Sequence, residues 1–187
     1  MIKQIIGKII LLVTNWKAIT INPDKVRGTV LIAAPHTSNW DLFYGCAAFW
    51  KYNGDIKFLI KEDFIKNFWY GWFFRWLGGV GVNRSQKKDL INYCSKILND
   101  NPRITLVITP EGTRLQVENW KLGFYYIALN ANVPISLAFV DYEKKIAAIL
   151  KQVYPNEKNL DEILKEIEDY YKDVVAKYPE NYNPKII

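Results

Sequence analysis

Three short stretches limit what this chain can fold into: GTVLIAAP (28–35), RITLVIT (103–109) and VPISLAFV (133–140). Each is a near-continuous apolar run rich in β-branched residues, without the apolar–polar alternation of a strand that faces water on one side. Such runs are buried on both faces, which is the condition of strands in a parallel sheet covered by helices. DIKFLI (55–60) and GVGVNR (79–84) read as further strands, and KKIAAIL (144–150) as one more. Between them lie helical segments: WDLFYGCAAFW (40–50), FIKNFWYGWFFRWL (64–77), QKKDLINYCSKIL (86–98), WKLGFYYIALNA (120–131) and a last helix. That last helix opens on the Asn159/Glu162 capping box and runs to about Ala176. The alternation predicts an α/β fold with a largely parallel central sheet covered by helices.

The length of 187 residues is enough for one sizeable core, and no repeat, linker or low-complexity tract divides it. One domain over residues 1–187 is expected, with residues 1–20 as a candidate membrane-contacting helix. In MIKQIIGKIILLVTNW the apolar run is too short to span a bilayer and is interrupted by Lys8, and no small-residue cleavage site follows. Ile5, Ile6, Ile9, Ile10, Leu12 and Val13 give this N-terminal amphipathic helix a broad apolar face. It suits an in-plane membrane helix or one packed on the domain.

Sheets of this kind build sites where strands end at their carboxyl edge. His36, the only histidine, follows the first apolar run, and Asp41 follows five residues later in HTSNWD. Mid-helix, the two would stand about 140° apart. With His36 in the strand-to-helix loop and Asp41 in the first helical turn, the imidazole can fold back on the carboxylate. Asp41 then accepts Nδ1–H and Nε2 is left as a base. Ser38 and Cys46 are the nearby nucleophile candidates, but no GxSxG elbow is present. A substrate hydroxyl or amine attacking an activated acyl group is the other use of such a base. In PEGTR, Glu111, Gly112, Thr113 and Arg114 make a tight turn after a strand. Gly112 permits close backbone approach, and Arg114 with Arg84 offers planar forks for a phosphate. The alternative for this turn is a plain Glu111–Arg114 ion pair.

In order, these blocks resemble the glycerolipid (lysophospholipid) acyltransferase family, in its bacterial 1-acylglycerol-3-phosphate acyltransferase type. HTSNWD is similar to its His-x4-Asp block, GGVGVNRS to its second, PEGTR to its third and NVPISLAF to its fourth. Lys121 and Gly123 fit the lysine and glycine that follow the third block. The likeness runs from about residue 27 to 150. It implies that His36 is the general base on the acceptor hydroxyl and Asp41 its orienting acid. It implies an acceptor site shaped by Glu111, Gly112, Thr113 and Arg114, with Arg84 near the anionic group. Val133, Pro134 and Ile135 would support the site or the acyl chain. The donor would be acyl-CoA or acyl carrier protein, attacked directly without an acyl-enzyme. No metal or other cofactor is implied. Asn83, Thr109 and Ser136 depart from the usual aspartate, phenylalanine and second proline. The acceptor class therefore spans lysophosphatidic acid, related lysolipids and hydroxylated amino-lipids. A thioesterase or lipid hydrolase, and a non-catalytic lipid-binding module, are the other readings.

NFWYGWFFRWLGG gathers Trp69, Trp72, Phe73 and Trp76, which suit the bilayer headgroup level, an acyl-chain slot or a buried cluster. With a net charge of +6, these residues predict a peripheral protein on the anionic cytoplasmic face of the membrane. The lysines are scattered, no nucleic-acid motif accompanies them, and no nucleic-acid partner is expected. Cys46 and Cys94 sit in helical apolar stretches and are expected to be buried, reduced thiols.

Overall fold

The computed structural model describes residues 2–22, 26–52, 56–82 and 87–186. Its strands are β1 (Lys17–Thr20), β2 (Thr29–Ala33), β3 (Ile56–Lys61), β4 (Gly79–Val82), β5 (Thr105–Ile108), β6 (Ile135–Asp141) and β7 (Ile146–Val153). Its helices are α1 (Ile2–Val13), α2 (Asn39–Lys51), α3 (Glu62–Lys66), α4 (Gly71–Leu77), α5 (Lys87–Asp100), α6 (Gly123–Ala131) and α7 (Leu160–Tyr171). The strands form one sheet in the order β1-β7-β6-β2-β5-β3-β4. Every pairing is parallel except the β6–β7 hairpin. The α/β expectation holds, and the three apolar runs are its central strands: β2 lies between β5 and β6.

Side chains alternate across the sheet with period two, and each face has its own fate. Val30, Ile32, Leu106, Ile135 and Leu137 point to one side, where α5, α6 and α7 cover them in the main core. Leu31, Ala33, Val107 and Ala138 point to the other side, toward Phe49 of α2. This second face is lined by smaller residues, and the cavity described below lies against it. α1 crosses α2 closely at Gly7, where an added Cβ would lie 2.5 Å from the Ala47 carbonyl oxygen.

Three local expectations differ from the structure. The aromatic stretch 64–77 is broken rather than one helix: the Asn67 side chain accepts the N–H groups of Trp69 and Tyr70, and its carbonyl accepts that of Gly71. The last helix ends at Tyr171, because Val175 leaves the helical path to give its carbonyl to the Tyr142 N–H. β1, four residues at the sheet edge, is an addition to the strands read from the sequence.

Candidate active site

Ser38 caps α2, its hydroxyl accepting the Trp40 N–H, while the Asp41 side chain reaches back to the Ser38 N–H. This capping box fixes Asp41 in the first turn, below the loop that carries His36 out of β2. Asp41 Oδ2 accepts the N–H groups of Thr37 and Ser38 at 2.9 and 2.8 Å and lies 3.1 Å from His36 Nδ1. With the proton on Nδ1, the histidine donates to Asp41 and keeps a free lone pair on Nε2. Asp41 Oδ1 accepts the hydroxyl of Tyr142 at 2.7 Å. Burial, followed by the hydrogen bond to Asp41, raises the Tyr142 phenol well above its usual range, so it is a standing donor.

The turn after β5 meets this loop at two points. Glu111 Oε1 accepts the main-chain N–H of His36 at 2.9 Å, and Arg114 Nη1 donates to Asn39 Oδ1 at 2.6 Å. Glu111 is 5% exposed, and its Oε2 has no hydrogen-bond partner. Burial raises its carboxyl above the ordinary range, and the Asp41 charge adds to the rise against the two backbone hydrogen bonds that oppose it. Gly112 has φ +68°, and its bare Cα leaves space that the Lys121 side chain fills.

Gly112, Thr113, Arg114 and Lys121 line a cavity of about 1540 Å³ together with His36, Asn39 and Asp41. Ordinary ligand pockets hold roughly 300–1,000 Å³. Below this polar end the walls are apolar, formed by Leu31, Val107, Leu42 and Phe49 between the sheet and α2. Phe73 and Trp76 of α4 belong to the cavity wall and are also 41% and 39% exposed. Trp69 and Trp72 stand out in solvent, 81% and 61% exposed. Arg84 lies outside the described residues. Pro134 and Val133 lead into β6, with the Pro134 carbonyl accepting the Val30 N–H, so this block braces β2 from the neighbouring strand.

Two members of the site, Asn39 and Tyr142, are additions to the residues expected from sequence. Ser38 or Asn39 can cap this helix on sequence alone; Ser38 takes that part, and the Asn39 side chain instead accepts from Arg114. Tyr142 carries a signal that could have found it: it follows a buried strand at the carboxyl edge, as His36 does. Neither nearby nucleophile candidate is poised. Ser38 is buried as a cap, and burial pushes the Cys46 thiol up to about 12.

The family model described as Acyltransferase matches residues 17–137. The curated proteins contain no match. Among solved structures the chain is similar to the crystal structure of the 1-acyl-sn-glycerophosphate (LPA) acyltransferase PlsC from Thermotoga maritima. The TM-score is 0.60 at 18% identity, over 94% of this chain and 80% of that one. At that identity the likeness is one of fold.

Proposed function

This chain belongs to the acyltransferase family and is an acyltransferase, and from that premise we propose that it moves a fatty acyl group from a thioester to the hydroxyl of a lysolipid. The donor is acyl-CoA or acyl carrier protein; the acceptor is lysophosphatidic acid or a related lyso- or amino-lipid. His36 Nε2 takes the acceptor proton as the oxygen attacks the thioester carbonyl carbon. Asp41, on Nδ1, stabilises the imidazolium that forms. The C–S bond then breaks, and the departing thiolate takes the proton from Nε2. No acyl-enzyme is needed, in keeping with a buried Ser38 and an inert Cys46. Arg114 and Lys121 supply positive charge at the polar end of the cavity, suited to an anionic headgroup.

The observation that most supports this reading is that His36 and Arg114 line the same cavity as apolar residues between the sheet and α2, among them Leu31, Val107 and Phe49. A hydroxyl at the polar end and an acyl chain along the apolar walls would meet at the base. Phe73 and Trp76, at once cavity wall and exposed surface, favour entry of chains from a bilayer. Among the described residues no helix is long and apolar enough to cross a membrane. The exposed apolar face of α1 and the α4 aromatics suit a peripheral seat on an anionic leaflet, and the net charge of +6 agrees.

The test is transfer from acyl thioester to a panel of lysolipids, reading both thiol release and ester formed. His36→Ala is expected to lower transfer by about 10²–10⁴-fold with unfolding unchanged. Wild-type transfer by that variant would refute the assignment of the base. Thiol release that ignores the acceptor would make the protein a thioesterase instead.

A further inference from the structure

We infer that Tyr142 is a positioning residue, the outer member of a Tyr–Asp–His chain that sets how tightly the His36 imidazole holds a proton. This inference rests on the reading of His36 as the base. The two oxygens of Asp41 are divided. Oδ2 faces His36 and two main-chain amides, and Oδ1 receives the Tyr142 hydroxyl at 2.7 Å. A donor on the far oxygen does two things. It fixes the carboxylate's rotation, and so the direction in which the imidazole points. It also draws charge away from the oxygen that faces Nδ1. The imidazolium is then held less firmly and returns its proton more readily to the leaving thiolate.

The phenol is placed for this by packing. Trp16, on the turn between α1 and β1, meets the Tyr142 ring edge-on at 5.1 Å and stacks on Tyr44 of α2 at 4.0 Å. Tyr44 itself meets Tyr142 at 6.2 Å. The titratable and charged groups around Tyr142 and His36 are Asp41 and Tyr44 on α2, Glu111 on the turn after β5, and Tyr178 and Lys177 on the C-terminal segment. The Lys177 ammonium sits 5.9 Å from the ring centroid. The Tyr178 N–H donates to Thr37 Oγ1, so that segment is tied to the same loop. A phenylalanine keeps all the ring contacts and removes only the hydroxyl.

His36 is the only histidine, so one imidazole titration in the NMR spectrum of the full chain reports it alone. In Tyr142→Phe the His36 midpoint and the acid limb of kcat should both move to higher pH. kcat should fall about tenfold and the acceptor KM stay within about twofold, as expected when a transition-state interaction is lost. In the Asp41→Asn background the same change should have little further effect on kcat. An unmoved midpoint overturns the proposal, as do full and additive effects in the double variant. A slower Tyr142→Phe enzyme that is merely less stable, with its midpoint in place, also overturns it. Should that variant fail to fold, the unmodified chain must display a slowly exchanging hydroxyl proton with a cross-peak to the Tyr142 ring; its absence is equally fatal. If His36→Ala proves fully active while the midpoint shift is seen, the chain of hydrogen bonds stands and the assignment of the base falls.

Discussion

Glu111 holds His36 by its main chain: the carboxylate of the turn after β5 accepts the amide of the loop after β2 at 2.9 Å. The side chain that reads from sequence as part of an acceptor site is turned inward, and its work on this geometry is to lock the loop that carries the imidazole. Removing it should cost more than neutralising it. Glu111→Ala leaves a buried N–H without an acceptor, which costs about 1–3 kcal/mol, and should lower kcat as the loop loosens. Glu111→Gln keeps a carbonyl oxygen for the His36 N–H and removes the buried charge. Burial raises the folded-state Glu111 carboxyl above its unfolded value. Deprotonation therefore favours the unfolded chain, and the Glu111 contribution to stability falls as pH rises from the unfolded value through the raised one. The stability of Glu111→Gln relative to wild type should thus rise across that window and then level off. Denaturant melts at stepped pH measure it; a flat difference would contradict the burial argument.

Gly112 answers two demands at once. Its φ of +68° lies in the left-handed region, and a Cβ there would overlap the Lys121 side chain. Gly112→Ala should cost about 1–2 kcal/mol from the backbone alone. It should also raise the acceptor KM, because the ammonium of Lys121 must leave the turn. A Gly112→Ala/Lys121→Ala pair separates the two: stability lost to φ persists, while the clash is relieved.

Ser38 and the cysteines offer a direct check on the proposed transfer without a protein nucleophile. Ser38→Ala removes an N-cap and should cost about 1 kcal/mol while turnover survives; loss of a true nucleophile would cost orders of magnitude more. Burial pushes the Cys94 thiol up to about 11 and the Cys46 thiol to about 12. Neither should react with a thiol reagent at pH 8 in the native protein, and both should react once it is unfolded. Inactivation that tracks native labelling of Cys46 would reopen the question.

What could be read from the sequence depended on burial on both sides. The central strands β2, β5 and β6 announce themselves because each face must be apolar. The edge strand β1 is four residues with one face half open, and it leaves no comparable pattern. The aromatic stretch 64–77 has enough apolar residues to satisfy a helix at almost any phase. What breaks it is one polar side chain, Asn67, competing for backbone donors. In the candidate site, the positions of His36 and the 111–114 turn are legible because each follows a strand, and that of Asp41 because it falls in the first turn of the helix after His36. That Asn39 grips Arg114, and that Tyr142 closes on Asp41 from 101 residues away, depends on tertiary placement that local pattern does not encode.

The surface of α1 and α4 carries the last prediction. Ile2, Ile5, Ile9, Leu12 and Val13 share one exposed face of α1, and only Gly7 and Leu11 are buried in that helix. Lys3 joins this helix to α4: its ammonium donates to the Trp76 carbonyl at 2.6 Å and sits 5.0 Å from the Trp76 ring. The apolar face of α1, with Trp72 of α4 and the 86%-exposed Phe68 and 81%-exposed Trp69 just before it, is apolar surface that water tolerates poorly. Trp69→Ala/Trp72→Ala should weaken sedimentation with anionic vesicles about tenfold or more, each indole being worth more than 1 kcal/mol at an interface. Transfer to a lysolipid presented in detergent below vesicle-forming conditions should change little, because neither ring lines the cavity. Leu12→Asp, on the exposed face of α1, should act in the same direction. Vesicle binding that is unchanged in all three substitutions would remove the membrane seat while leaving the chemistry at His36 untouched.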